Sequence, residues 1–349
     1  MKFGRAELAL LAGSLLFVML LAAAAELAVR AFSSVGLLGN SKNLFVANAY
    51  GKSHGNARDV EASSFGLTVY TDAHGFRVPK GGVPGDEQKS GAILILGDSV
   101  GFGPAVEEPE TIAGLLRAQF PRQRIYNASV IGYGTPDYRN VAEAFVPAHP
   151  EIEQVVLVYC LNDVGAGSAA NIERYLNQEE PDPAPKGLTE TLRSVRVLSD
   201  ANDFLRSRSK LYLFIRHHLL QTQTRDWRAI AQQYAEGSDG VARSARDIEA
   251  IAALLAQRAI PFLVVLAPFE YQLRNPAHPD VQLPQRRIGE LLARAGIRVI
   301  DPRPSFDATR RSADYFLPYD SMHFSAAGHR VMADAIAGAL RDQRDRLAR

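Results

Sequence analysis

The residues best suited to chemistry are a serine in the first third of the chain and an aspartate–histidine pair near its end. Ser99 follows a glycine and an aspartate in ILILGDSVGFG, directly after an apolar run. Asp320 and His323 are three residues apart in YDSMHFS. At that spacing the carboxylate can hold Nδ1 of the imidazole, which leaves Nε2 to take a proton from a serine. These residue types indicate acyl transfer with a serine nucleophile, while helix capping by Asp98, Ser99 or Asp320 is the structural alternative.

Two further positions are suited to stabilising the negative charge of a tetrahedral intermediate. Gly132 lies in the loop after a second apolar run, in YNASVIGYGT, where a glycine leaves its N–H open to a ligand. Asn162 follows a third apolar run in VYCLNDV, and its side-chain amide is a donor suited to an oxyanion hole. An ordinary turn at Gly132 and helix capping by Asn162 or Asp163 are the structural alternatives.

Other reactive side chains fit such a reaction less well. His329 competes with His323, but it lies inside a predicted helix and has no carboxylate three residues before it. Cys160, the only cysteine, ends an apolar run and is predicted to be a buried small hydrophobe. His217 and His218 are adjacent and therefore face different directions on a helix, so they cannot bind a metal as an i, i+4 pair. We therefore expect neither a metal nor another cofactor.

Short apolar runs alternate with helical patterns from residue 91 onward, and this alternation predicts a doubly wound parallel sheet with helices on both faces. The runs are rich in Val, Ile and Leu, as expected for strands that are buried on both sides. In such sheets the reactive residues lie on loops at the carboxyl ends of strands, where Ser99, Gly132 and Asn162 all fall. The predicted strands are 92–97, 124–129, 155–160, 261–268 and 297–301, and the predicted helices include 111–119, 242–258 and 327–347.

The remaining sequence divides the chain into regions. Residues 33–90 are rich in Gly, Ser and Asn and are expected to form an extended segment that ends in the turn-rich linker VPKGGVPGDEQKSG. The main domain is expected to span residues 91–345. Within it, residues from about 165 to 240 contain no clear strand and pass from a Pro-rich segment into helical sequence such as LYLFIRHHLL. This pattern predicts a helical insertion beside the site.

Residues 1–32 contain a long apolar segment that we interpret as a transmembrane anchor. Residues 8–25 carry no charge, and at about 1.5 Å per residue such a helix just spans a hydrocarbon core of about 30 Å. Lys2 and Arg5 precede the segment, which predicts a cytoplasmic N-terminus and an extracytoplasmic domain, periplasmic in a Gram-negative bacterium. A signal peptide cleaved near Ala22–Ala25 is the alternative, although the apolar run is long for one.

The charge balance excludes several classes of partner. The chain has 349 residues, of which 39 are basic and 38 acidic, so the net charge of +1 gives no field for nucleic acid. Residues 1–30 hold three of the basic and two of the acidic side chains, which leaves 36 of each in the rest. Gly101 and Gly103 form a G-x-G after the first strand, but Val106 stands where a dinucleotide motif needs its third glycine. We therefore expect no nucleotide and no nucleic acid.

Four short motifs resemble the blocks of the SGNH, or GDSL-type, hydrolase superfamily, in the order of that superfamily and over about residues 91–340. YTDAHGFR (70–77) resembles a segment found upstream of the first block in membrane-anchored members. The resemblance implies a three-layer α/β/α sandwich of flavodoxin-like type, with a central parallel sheet of about five strands. The motifs are GDS with Ser99, the loop glycine Gly132, LND with Asn162, and D-x-x-H with Asp320 and His323.

The resemblance also implies a role for each of these residues. Ser99 is the nucleophile, and its N–H, the N–H of Gly132 and the side chain of Asn162 are the oxyanion donors. His323 is the base and Asp320 orients it. The sequence departs from the superfamily pattern at two positions. The first block reads GDSV, at a position without a chemical role, and Cys160 stands where the third block commonly has glycine. Because cysteine is small, we expect the second departure to change local packing and not to abolish function.

A serine-dependent ester hydrolase is the function that the resemblance implies, acting on O-acyl and above all O-acetyl esters through an acyl-enzyme. Because the domain is expected to face outward from a membrane, we expect a small-molecule or carbohydrate ester of the cell envelope or of exported polysaccharide. An O-acyltransferase with the same residues is the first alternative, with a sugar hydroxyl as acceptor in place of water. A non-catalytic binding protein of the same fold is the second, although such a protein is expected to lack one of the motifs.

Overall fold

The computed structural model describes residues 4–33, 36–164, 204–220, 222–235 and 238–347. Its first element, helix α1, spans Arg5–Phe32, and most of the large apolar side chains along it are exposed. Within α1, Glu7–Phe32 is long and apolar enough to cross a membrane, and in the described ranges no second helix meets this criterion. A signal sequence near the N-terminus can meet the same criterion of length and composition, so the criterion does not distinguish the two.

Five short strands lie between α1 and the main sheet, in two small antiparallel sheets. The sequence predicts an extended segment and linker in this stretch, because such short strands of mixed polarity show no clear alternation. The strands are β1 (Phe45–Tyr50), β2 (Ser53–Asn56), β3 (Glu61–Ser64), β4 (Leu67–Thr71) and β5 (Arg77–Val78), paired in the orders β1-β2 and β3-β4-β5.

The centre of the molecule is a five-stranded parallel sheet, as the sequence predicts. Its three central strands are almost wholly buried, because helices cover both faces and the side chains on both faces are apolar. The strands are β6 (Gly91–Gly97), β7 (Gln123–Asn127), β8 (Ile152–Cys160), β9 (Phe262–Ala267) and β10 (Arg298–Ile300), in the order β10-β9-β8-β6-β7.

Helices pack on both faces of this sheet and complete the predicted α/β/α sandwich. The helices are α2 (Ser99–Phe102), α3 (Ile112–Gln119), α4 (Thr135–Phe145), α5 (Lys210–Leu220), α6 (Thr222–Gln233), α7 (Asp239–Ala256), α8 (Glu270–Arg274), α9 (Leu283–Arg294) and α10 (Ala326–Leu347). Helix α3 packs against α10, while α7 packs against both α4 and α9. The three helices predicted from periodicity correspond to α3, α7 and α10.

Part of the predicted helical insertion at 165–240 lies outside the described residues, namely 165–203 together with 221 and 236–237. The described remainder is helical and contains α5 and α6, and α5 contacts α1.

The order of the strands places a crevice at the middle of the sheet. From β6 the chain goes to β7 on one side and then crosses to β8 on the other side of β6. At such a switch point the loops after neighbouring strands diverge, and ligands bind in the gap at the carboxyl edge. The loops after β6, β7 and β8 carry Ser99, Gly132 and Asn162 respectively.

Candidate active site

Ser99 begins helix α2 directly after the central strand β6. A Cβ at Gly97 would lie 2.9 Å from Oγ of Ser129, and one at Gly101 would lie closer still. Only glycine therefore lets the turn after β6 come this near to the loop after β7. The carboxylate of Asp98 caps α2 by accepting a backbone N–H of the first turn at 2.8 Å. Asp98 thus has the capping role, and Ser99 is left with its hydroxyl at the carboxyl edge of the sheet.

Three side chains form a continuous hydrogen-bonded series at this edge. Nε2 of His323 lies 2.8 Å from Oγ of Ser99, and Nδ1 lies 2.7 Å from Oδ2 of Asp320. The other carboxylate oxygen, Oδ1, accepts the backbone N–H groups of Met322 and His323, both at 2.9 Å. The carboxylate is therefore fixed by its own turn. When Nδ1–H donates to it, Nε2 becomes an acceptor for the serine proton.

The charges of this series perturb one another. Burial opposes ionisation of Asp320, but the His323 imidazole and the hydrogen bonds of the turn lower the pKa of Asp320 below its usual range. Burial and the charge of Arg206 act to lower the pKa of His323, but Asp320 and Asp98 outweigh them and hold it above its ordinary value of 6.5. The neutral imidazole is consequently a stronger base than an isolated histidine.

The turn before Asp320 contains a strained residue. Tyr319 has a φ of 62°, a left-handed conformation that residues with a side chain rarely adopt. The Tyr319 ring packs against His217 of α5, with ring centroids 4.2 Å apart, and contacts Phe214 and His218 as well. Helix α5 therefore packs directly on the turn that carries the aspartate and the histidine.

Gly132 lies in the loop between β7 and α4. Its φ of 86° favours glycine, and among the described residues its N–H has no hydrogen-bond partner. The loop is held by the upstream strands: Nε2 of His54 lies 2.9 Å from O of Ile131, and the hydroxyl of Tyr133 donates to O of His54 at 2.5 Å. An N–H in a fixed loop is thus available to a ligand.

Asn162 lies in a short 3₁₀ turn, Leu161–Val164, after β8. Its Nδ2 lies 3.8 Å from Sδ of Met322, the residue before His323. Its Oδ1 is buried and has no partner within the described residues. The amide therefore lies beside the turn that carries the histidine, where thioether sulfur is only a weak acceptor.

Asp163, the next residue, holds this turn in place. Its carboxylate is buried and accepts the backbone N–H of Cys160 at 2.9 Å and the hydroxyl of Tyr138 at 2.7 Å. Burial and the nearby charge of Asp98 raise the pKa of Asp163 well above its usual range. Asp163 is therefore the residue of the LND motif that caps this turn, and the side-chain amide of Asn162 takes no part in the capping.

Arg77, the last residue of YTDAHGFR, received no role from sequence reasoning. Its buried guanidinium donates to the carbonyl oxygens of Phe102 at 2.7 Å, Gly103 at 2.5 Å and Val106 at 2.5 Å. Burial lowers the pKa of Arg77 to about 10, so it stays charged near neutral pH. These hydrogen bonds join β5 to the end of α2 and to the residues that follow it. The upstream motif was the only signal for it, because its partners lie 25 to 29 residues away.

The upstream strands also reach the histidine. Phe65, in the turn between β3 and β4, meets His323 edge-on with ring centroids 5.4 Å apart. Its φ of 49° is again left-handed, and its N–H donates to O of Gly39 at 2.7 Å. Residues of the 33–90 stretch therefore form part of the wall around the site.

The two competing reactive residues are both buried away from solvent. His329 is 1% exposed, its Nδ1 accepts the N–H of Ile112 at 3.3 Å, and burial lowers its pKa to about 3. Cys160 is fully buried, which raises the pKa of its thiol well above the usual range. The prediction that Cys160 is a buried small hydrophobe is confirmed, and His329 supports backbone rather than facing Ser99.

A cleft of about 140 Å³ opens beside Asp320 and His323. One wall is the turn with Tyr319, Asp320 and His323, and the other is built by the segment around α5. The residues from that segment include Arg206, Leu213, Arg216 and His217.

Residues 95–331 match the model of the GDSL-like lipase/acylhydrolase family, a range that contains all five predicted site residues. No curated protein matches the sequence.

Several solved structures are similar to the chain at low sequence identity. An α/β hydrolase from the metagenome of Lake Arreo, Spain, has 14% identity and a TM-score of 0.42, with 72% of this chain and 95% of that chain covered. A lipase/acylhydrolase from Enterococcus faecalis has 12% identity and a TM-score of 0.40, with 72% and 96% covered. A catalytic mutant of an acetylxylan esterase from Geobacillus stearothermophilus has 11% identity and a TM-score of 0.40, with 71% and 93% covered.

Proposed function

Because the chain belongs to the GDSL-like lipase/acylhydrolase family and is a hydrolase that acts on ester bonds, we propose that it cleaves O-acyl esters, above all O-acetyl esters, with Ser99, His323 and Asp320. The observation that carries this proposal is the pair of hydrogen bonds at 2.8 and 2.7 Å that joins the serine through the histidine to the carboxylate. A serine hydroxyl bound to an oriented base is an activated nucleophile.

The reaction begins when Nε2 of His323 takes the hydroxyl proton and Oγ of Ser99 attacks the ester carbonyl. The carbonyl electron pair moves to oxygen, where the N–H groups of Ser99 and Gly132 and Nδ2 of Asn162 donate to it. The imidazolium, stabilised by Asp320, gives its proton to the departing alcohol and leaves the acyl group on the serine. His323 then takes a proton from a water molecule, which attacks the carbonyl of the acyl-enzyme. The bond between the acyl group and Ser99 breaks, the serine regains the proton, and the acid is released.

The proposed substrate is a small-molecule or carbohydrate ester of the cell envelope or of exported polysaccharide. We assign part of the substrate to the cleft of about 140 Å³ that lies beside Asp320 and His323. Beyond residue 30 the chain has 36 basic and 36 acidic residues. The domain therefore has no net field that selects for a highly charged substrate, and selectivity rests on the shape of the cleft.

A membrane anchor formed by α1 is the second part of the proposal, with the N-terminus in the cytoplasm and the catalytic domain extracytoplasmic. The helix has 28 residues, which is about 42 Å at 1.5 Å per residue. Its charge-free stretch, 8–25, is longer than the apolar region of about 7–15 residues in a signal peptide. Lys2 and Arg5 provide the positive charge expected on the cytoplasmic side.

Activity is tested on the full chain in detergent with p-nitrophenyl acetate. Ser99→Ala should lower kcat on the order of 10⁴-fold or more, since it removes the nucleophile. Ser90→Ala is the matched control, because Ser90 is an exposed serine just before the other end of the same strand. Equal turnover by Ser99→Ala and the native chain would refute the assignment.

Hydrolysis and transfer are separated with an acetylated polysaccharide. Free acetate is expected to appear whether or not an unacetylated oligosaccharide is added. Acetylation of the added oligosaccharide without release of acetate would contradict hydrolysis and identify an O-acyltransferase with the same residues.

The topology is tested with alkaline phosphatase fused to the C-terminus in intact bacterial cells. Phosphatase activity is expected together with a membrane-bound chain whose intact mass includes residues 1–32. An inactive fusion refutes the outward orientation, and a chain that begins after Ala25 refutes the anchor.

A further inference from the structure

The segment 204–220 differs in charge from the rest of the chain. Its sequence, FLRSRSKLYLFIRHHLL, has four basic residues and no acidic one, whereas the chain beyond residue 30 is balanced. Aromatic and aliphatic residues alternate with these charges. Such a combination is typical of segments that lie in a membrane interface, where apolar side chains enter the acyl boundary and basic ones meet anionic headgroups.

The same segment exposes large apolar side chains. Phe204 is 55% exposed, Leu205 38% and Ile215 44%. Outside α1, Val46 is the one other large hydrophobic residue in the described ranges that is comparably exposed. Clustering of exposed apolar residues in one segment marks an interaction surface rather than the scattered exposure that is normal for a protein surface.

The segment is joined to α1 by a specific set of hydrogen bonds. The carboxylate of Glu26 accepts from Oγ of Ser209 at 2.8 Å and from the backbone N–H groups of Lys210 and Leu211 at 3.0 and 2.9 Å. Arg30 pairs with Glu26 at 2.7 Å and donates to O of Arg208 at 2.5 Å. Glu26 therefore caps the start of α5 from the apolar helix itself.

This contact fixes the height of the segment. Residues 8–25 are without charge, and at about 1.5 Å per residue they rise about 27 Å, close to the thickness of a hydrocarbon core. Glu26, the first charged residue after them, consequently lies where hydrocarbon gives way to headgroups. The start of α5, bound to Glu26, lies at the same level.

We propose that segment 204–220 lies in the extracytoplasmic interface of the bilayer, with Phe204, Leu205 and Ile215 in contact with lipid and Arg208 and Lys210 on anionic headgroups. The placement rests on the proposed anchor. The segment also forms one wall of the cleft, opposite Asp320 and His323. The cleft therefore opens at the membrane surface, and the esters that reach it are those presented at that surface.

A lipid-quenching experiment tests this placement on the full chain. Cys160 is fully buried, so a thiol introduced at the surface can be labelled selectively with a fluorophore. The Ile215→Cys chain is labelled and placed in lipid nanodiscs that contain about one third phosphatidylglycerol and a nitroxide lipid near the headgroup. Fluorescence should fall at least about twofold when the nitroxide lipid is present, because the label enters the interface.

Two further chains make the result specific. Phe204→Cys repeats the measurement at a second exposed position, and Gln257→Cys is the control, because Gln257 is exposed before the amino end of β9, away from the cleft. Quenching at 204 and 215 but not at 257 is expected. Changing both Arg208 and Lys210 to glutamine should reduce the quenching to that seen in phosphatidylcholine alone, while the backbone cap at Glu26 is kept.

Equal quenching at 215 and 257 overturns the proposal. An environment shift at 215 without quenching also overturns it, since a second copy of the chain would then cover the face. The labelled chains keep Ser99, and the quenching measurement does not depend on catalysis. The esterase activity of the Ser99→Ala chain therefore tests the catalytic proposal alone. A purified chain whose mass lacks residues 1–25 refutes the anchor and this placement with it, whereas intact mass with an unquenched label refutes the placement only.

Discussion

Replacing Asp320 by asparagine keeps the shape of the proposed triad of Ser99, His323 and Asp320 and changes its chemistry. In the native chain Oδ2 of Asp320 accepts from Nδ1 of His323 at 2.7 Å. In Asp320→Asn the remaining oxygen can still accept the backbone N–H groups of Met322 and His323, which leaves the amide nitrogen facing Nδ1. An amide nitrogen only donates, so Nδ1 must accept and Nε2 must carry the proton. The imidazole is then in the wrong tautomer to take the proton of Ser99.

The expected loss of kcat in Asp320→Asn follows from the attraction between the carboxylate and the imidazolium. At an effective dielectric constant of about 20, unit charges about 4 Å apart attract by about 4 kcal/mol, which is the stabilisation that the imidazolium would lose. Each 1.36 kcal/mol is about tenfold in rate, so this loss alone is about 10³-fold. The wrong tautomer adds on the order of another tenfold. We expect kcat to fall by about 10³–10⁴-fold with KM nearly unchanged.

The assay is steady-state hydrolysis of p-nitrophenyl acetate across pH. In the native chain His323 must be neutral, and its raised pKa places the acidic limb of activity above the ordinary pKa of histidine. Removing the Asp320 charge takes away the main influence that raises the pKa of His323 and leaves burial and Arg206 opposed by Asp98 alone, so the pKa falls and the residual activity should keep its rate to lower pH. Asp307→Asn, at an exposed aspartate, should change neither quantity. A loss below tenfold with an unmoved limb would refute the reasoning.

Three other substitutions probe the surrounding structure. Asn162→Ala should lower kcat by about 10²–10³-fold by removing an oxyanion donor; kinetics that change in KM alone would contradict this. Gly132→Ala should destabilise the fold by about 1–2 kcal/mol in chemical denaturation, because a side chain is strained at a φ of 86°. Gly338→Ala is the control and should not destabilise the fold, because Gly338 is a helical glycine with open space around it. Equal destabilisation by the two substitutions would argue against strain at Gly132. Arg77→Met should lower the free energy of unfolding by about 3 kcal/mol or more, because three buried carbonyls lose their donor; an unchanged unfolding midpoint would show that these bonds add nothing.

The central sheet was predictable because its signal is local. Runs such as AILILG and VVLVYC are buried on both faces and need no distant partner to be recognised as strands. The positions of Ser99, Gly132 and Asn162 followed, since all three lie in the segments that follow the carboxyl ends of strands. The D-x-x-H spacing was likewise sufficient to predict the contact between Asp320 and His323, which belongs to a single turn.

The walls of the site were not predictable, because they depend on contacts between distant parts of the chain. Strands such as SHGN and EASS have no apolar alternation, and their order comes from partners far away in sequence. His54 holds the loop at Ile131, and Phe65 packs on His323. The sequence likewise contains nothing local that links Glu26 to the start of α5.

With α1 as the proposed membrane anchor, the cap that Glu26 provides also limits where the enzyme can work. A domain on a long free tether sweeps a wide volume above the membrane, whereas this domain is bonded to α1, the proposed membrane helix, at Ser209, Lys210 and Leu211. On this proposal we expect its search to be two-dimensional, with polymer that lies farther out than the domain itself beyond its reach. The proposed reaction would then remove acyl groups while the polymer that carries them is close to the bilayer, before it moves outward.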